Sequence, residues 1–119
     1  MKAYERLLNY VVIKTPSDEE SMTTPSSACQ FDLAVKLKEE MIQLGLSDVV
    51  LDDKCYLYGK LPATAGYENV PAIGFIAHMD TVSDFSSGTI TPVITKNYDG
   101  GELKLGNSGL TLSPKDFPH

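Results

Sequence analysis

His78 and Asp80 stand two residues apart, directly after the apolar run AIGFIA at 72–77. On an extended backbone residues i and i+2 point to the same face, so the imidazole and the carboxylate can converge while Met79 points away. An imidazole that gives one ring N–H to a carboxylate is held in a single tautomer with its other nitrogen made more basic, as in many metal-binding histidines. The mouth of a buried strand is also where open α/β sheets place their sites. H-x-D triplets are common, however, and a surface histidine that only hydrogen-bonds satisfies the same spacing.

Other chemistries find less support. The chain has no G-x-S-x-G elbow, no glycine-rich phosphate loop ending in Lys-Ser/Thr and no H-E-x-x-H helix. Gly100-Gly101 lies in a polar stretch and reads as a turn. Asp52, Asp53, Asp84, Asp99 and Asp116 all fall in predicted turns or loops, where solvated aspartates are the rule. His119 is expected to fray at the terminus. Cys29 and Cys55 are far apart and form no C-x-x-C, so they read as reduced, small, buried or half-buried side chains.

Several elements must position the pair. Tyr4, Leu7, Leu8, Val11 and Val12 recur at helical spacing, predicting a short amphipathic helix that stops near Lys14, because Thr15 precedes Pro16. Residues 15–27 are rich in Ser, Thr, Pro and acids and read as an irregular connection. Ser27-Ala28-Cys29-Gln30 fits a capping box, Phe31, Ala34, Leu37, Met41 and Leu44 form an apolar stripe, and Gly45 can close the helix in a left-handed conformation. Strands are predicted at 49–51 and 55–61 around the turn Asp52-Asp53-Lys54. The run 72–77, apolar on both faces, predicts a strand covered on both sides, the central element of the chain. Weaker β-like pieces follow at 89–95 and 102–105, and the tail from Leu110 contains two prolines and no closing element.

The 119 residues allow one domain with a modest core. With 42% hydrophobic and 22% charged residues, the composition is that of a globular chain. Ten Lys+Arg against sixteen Asp+Glu give a formal charge of -6 without a basic stripe, which disfavours nucleic acid as a partner. No apolar run approaches the ~20 residues of a membrane span and no signal-peptide core opens the chain, so a cytoplasmic protein without membrane partners is expected.

Beyond the triplet, longer stretches carry a resemblance over nearly the whole chain. They are Glu5-Arg6-Leu7-Leu8-Asn9-Tyr10-Val11, Lys60-Leu61-Pro62-Ala63, the run 71–81, Asn97-Tyr98-Asp99-Gly100-Gly101-Glu102, and Leu112-Ser113-Pro114 through Phe117-Pro118. Together they resemble the tripeptide aminopeptidases of the co-catalytic dizinc metallopeptidase family, which also contains acetylornithine deacetylase-like enzymes. The resemblance implies an α/β fold, the N-terminal part of a zinc-peptidase-like three-layer architecture with a mixed β-sheet flanked by helices. It implies that His78 is a ligand of one of two zinc ions and that Asp80 belongs to the catalytic site as the carboxylate orienting it. A metal-bridging water then attacks the scissile amide, with a glutamate as general base, and the N-terminal residue of a short peptide is released.

The remaining ligands and the glutamate base of that family have no counterpart in these residues. Residues 1–119 are accordingly expected to be a truncated, partial catalytic domain lacking the lid or dimerisation domain. Such a chain would bind zinc weakly or not at all, be inactive alone and self-associate through exposed sheet surface. A non-catalytic interaction module and a related dipeptidase or deacylase are the alternatives.

Overall fold

The computed structural model describes residues 1–85 and 88–117, so the expectation for His119 lies outside the described residues. Its organising element is α2, Gln30–Gln43. The helix ends as its sequence predicts: Gly45 takes φ +83°, its N–H donates to the Ile42 carbonyl, and the Leu46 N–H donates to the Met41 carbonyl. This pair of bonds is a Schellman closure, which satisfies carbonyls the last turn would otherwise leave open.

The start of α2 departs from expectation. Gln30 is the first helical residue, Cys29 occupies the cap position, and no side chain makes the cap hydrogen bond. The Ser27 carbonyl instead accepts from the Gln30 N–H at 3.1 Å, a tight turn leading into the helix. The Gln30 side chain is thereby free for the loop before it. Of the predicted stripe, Ala34 is buried, Phe31, Leu37 and Met41 are half-buried, and Leu44 is exposed. Leu33, outside the stripe, is buried because α2 also faces the stretch after the first helix.

That first helix, α1, covers Ala3–Tyr10. Glu5 accepts from the Lys2 N–H at 2.7 Å, which fills an open donor and places an acid in the positive first turn. α1 is fastened to α2 through one carboxylate: Glu40 accepts from both the Arg6 guanidinium and the Tyr10 hydroxyl.

The predicted hairpin forms from β1 (Ser47–Leu51) and β2 (Leu57–Lys60), antiparallel with Val50 opposite Tyr58 and Leu51 opposite Leu57. Asp52 builds its turn, accepting from the Lys54 and Tyr56 N–H groups at 3.0 and 2.8 Å. Gly59 lies against α2: a Cβ there would fall 2.7 Å from Met41 Cε and 3.1 Å from Leu46 Cδ2, so the glycine gives these two side chains room that any other residue would make them yield. Cys55 is buried at the turn and Cys29 half-buried, both free thiols as expected. Burial, and secondarily the Asp52 charge, pushes the Cys55 thiol pKa up.

The second half of the chain corrects the sequence reading. Residues 72–77 form no strand: the segment has no regular secondary structure, and Ile73, Phe75 and Ile76 are 81%, 94% and 101% exposed. A strand apolar on both faces needs neighbours at its edges and layers above and below, and the described residues supply neither. Residues 89–95 likewise hold no strand. A second ladder pairs β3 (Leu103–Lys104) with β4 (Thr111–Leu112), the latter unforeseen in the tail. The described residues thus combine helices with two separate two-stranded antiparallel sheets in place of one mixed sheet.

The open second half shows in the dimensions. The radius of gyration is 18.1 Å, against about 13.5 Å for a compact domain of this length. The accessible surface is 9957 Å2, where a compact monomer of this mass exposes about 6300 Å2. Packing is therefore concentrated in α2 and the first hairpin, with α1 fastened to α2 through Glu40. Glu40→Ala, which removes both ties between the helices, is expected to lower stability by about 2 kcal/mol, the scale of hydrogen bonds to a charged group. Urea titration followed by circular dichroism checks this; an unchanged midpoint would mean that apolar packing alone holds α1.

Candidate functional site

The segment carrying His78 and Asp80 is anchored just beyond the pair. Thr81 donates its N–H to the Thr15 carbonyl at 2.9 Å, and its carbonyl accepts from the Ser17 N–H at 2.9 Å and the Ser17 hydroxyl at 3.2 Å. This is a one-residue parallel bridge, Pro16 with Thr81. Thr15 is buried, so the anchor sits on the ordered part of the molecule. Next to it opens a cavity of about 390 Å3, walled by the end of α1, the stretch 11–16, Leu33 and Leu37 of α2, and residues 77–81.

The pair at its rim forms as the spacing predicts. His78 Nδ1 lies 3.0 Å from Asp80 Oδ1, so the two side chains do turn to one side. An ionised carboxylate can only accept, so the proton belongs on Nδ1, and in the neutral ring Nε2 then keeps a free lone pair. The His78 side chain is 84% exposed and that of Asp80 43%. At such exposure the pairing adds little to stability. Its consequence is orientation: one basic nitrogen presented outward beside an apolar cleft.

The other acids behave as turn residues. Asp52 holds the hairpin turn, Asp99 accepts from the Gly101 N–H at 2.9 Å, and Asp53, Asp84 and Asp116 are exposed. None approaches His78 to form a cluster: among the described residues, no group of three or more His, Cys, Asp or Glu side chains is placed to hold a metal ion. Sequence reasoning missed Thr15 and Ser17 as the partners that hold Thr81. Thr81 lies 64 residues from Ser17, and pairing over that distance leaves no local pattern to read.

A lone imidazole nitrogen does not fit zinc, which takes four protein ligands in structural sites and about three in catalytic ones. One exposed imidazole with its carboxylate partner therefore makes no zinc site among the described residues, and no catalytic step through a metal follows from them.

In sequence the chain is similar to one group of proteins. Its relatives are proteins named peptidase T: the one from Exiguobacterium is 47% identical over 118 residues, covering 98% of this chain and 28% of the relative. That of Vibrio atlanticus is 49% identical over 117 residues, again 98% of this chain and 28% of the relative. That of Lysinibacillus sphaericus is 47% identical over 114 residues, 96% and 27%. The chain spans about 28% of the length of these relatives. No protein-family model matches it.

The donor set yields a direct expectation. Calorimetric titration of the 119-residue chain with zinc should reveal no tight two-site binding, and any weak binding should disappear in His78→Ala. Sub-micromolar uptake of two ions would show that the chain closes a metal site the geometry above does not contain.

Proposed function

We propose that the chain is a partial catalytic domain, residues 1–119, of a zinc-dependent tripeptide aminopeptidase resembling peptidase T, and that it is inactive by itself. The single observation that carries this reading is the His78–Asp80 hydrogen bond at 3.0 Å beside an apolar cleft, in a chain 47–49% identical to peptidase T relatives. In this reading His78 Nε2 is the atom offered to one of two zinc ions, and Asp80 keeps the ring in the tautomer that leaves Nε2 free. The substrate is the N-terminal end of a short peptide. A cytoplasmic location is part of the proposal, and no described helix is long and apolar enough to cross a membrane.

Within a complete three-layer fold, residues 72–77 would become a strand of a mixed sheet. Their apolar side chains, exposed in this chain, are what such a strand would bury.

The test is a graft. The 119 residues replace the aligned 117 residues of the Vibrio atlanticus protein, and release of the N-terminal residue from tripeptides is measured. Activity is expected in the chimera and none in its His78→Ala form. Asp80→Asn should reduce kcat/KM about 10–100-fold, the usual effect of losing the carboxylate behind a metal-bound histidine. A chimera whose activity survives His78→Ala would end the assignment.

The same exposed run favours a second property of the isolated chain, self-association. Ile73, Phe75 and Ile76 lie in a segment that takes part in no backbone–backbone hydrogen bond among the described residues. Such a segment is a template for another copy of itself, and pairing would cover both partners at once. Sedimentation velocity should show concentration-dependent oligomers that Phe75→Lys diminishes; a monomer at high concentration would refute this.

A further inference from the structure

Gln30, the first residue of α2, is a buried polar residue with a relative exposure of 8%. Its Nε2 donates to the Pro16 carbonyl at 3.3 Å and to Ser26 Oγ at 3.4 Å. Ser26 Oγ also accepts from the Asp18 N–H at 3.1 Å. One amide thus draws both ends of the 16–26 loop onto the start of α2. Pro16 is the residue that bridges to Thr81, flanked by the two residues that exchange hydrogen bonds with Thr81. Thr81 in turn directly follows Asp80.

We propose that Gln30 is a positioning residue for the candidate site: by fixing the Pro16 carbonyl it sets the Thr15–Ser17 backbone that grips Thr81, and so keeps the Asp80 carboxylate on His78. The proposal rests on the reading of His78 and Asp80 as the functional pair. The physical reason is that the segment before Thr81 is not otherwise anchored. Residues 71–80 make no backbone–backbone hydrogen bond among the described residues, so the orientation of the pair depends on the bridge at Thr81. The bridge is a single residue long and cannot hold its register by repetition, as a longer ladder would. A buried side-chain amide with two acceptors supplies that register from the rigid end of a helix.

Two nuclear magnetic resonance readouts on the 119-residue chain test the proposal. One is hydrogen exchange at the Thr81 and Ser17 amides; the other is the 15N signature of the His78 ring, which reports the protonated nitrogen. Gln30→Glu keeps the side-chain shape and removes the donor. It is expected to abolish protection at both amides and to replace the single Nδ1–H signature of His78 with a mixture of tautomers. The Asp52 amide, bonded to the Tyr56 carbonyl in the first hairpin, should stay protected. Met41→Ala, which thins packing at the far end of α2, should leave the His78 signature intact.

Retained protection at Thr81 in Gln30→Glu would overturn the proposal. So would loss of that protection without any change at His78, or an equal change in Met41→Ala, which would reduce Gln30 to a general stabiliser. If these effects appear while the grafted enzyme stays active without His78, the positioning stands and the assignment of the pair to catalysis is what fails.

Discussion

Two backbone hydrogen bonds at Thr81 tie the second half of the molecule to the first. Before Pro71 the chain forms two helices joined through Glu40 and a hairpin that lies on α2 with Gly59 against Met41. The following segment, residues 71–80, has no ladder or helix of its own. The exchange of Thr81 with Thr15 and Ser17 brings that segment to the wall of α1 and α2, and with it His78 and Asp80 to the rim of an apolar cleft. The candidate site is therefore a property of this contact as much as of the two residues.

The arrangement explains why an apolar chain can be so open. A run such as AIGFIA has no polar face to offer water, and burying it requires strands at both edges and layers on both sides. The residues described here spend their apolar surface on α2 and the first hairpin. What is left is a molecule with a cohesive part and an extended, apolar part, joined through a bridge one residue long. Relatives named peptidase T, more than three times this length, are 47–49% identical to it over nearly its whole length. A sequence suited to burial here takes a conformation that exposes it.

Chemically, the pair is simple. A carboxylate 3.0 Å from Nδ1 fixes where the imidazole proton resides, and Nε2 is left as the available donor atom. That is half of what a metal-bound histidine needs, and the other half, further ligands around a common point, is absent from the described residues. Orientation of the imidazole belongs to the segment itself.

Local rules account for much of what the amino-acid order determined alone. The closure of α2 at Gly45, the turn at Asp52 and the i, i+2 spacing that puts His78 and Asp80 on one side all depend on neighbours a few residues away, where backbone geometry leaves few choices; what holds the segment carrying that pair does not. The same rules misread Ser27-x-x-Gln30, because the capping pattern competes with a loop carbonyl that only the folded chain brings within reach of the glutamine. They also made 72–77 a strand, since apolarity signals burial without saying whether a neighbour exists to provide it. Tertiary structure alone decided that Thr15 and Ser17 would hold Thr81 and that β4 would form in a proline-rich tail. Pairing between distant segments is set by which surfaces remain unsatisfied once the local elements have formed, and no short window of sequence contains that information.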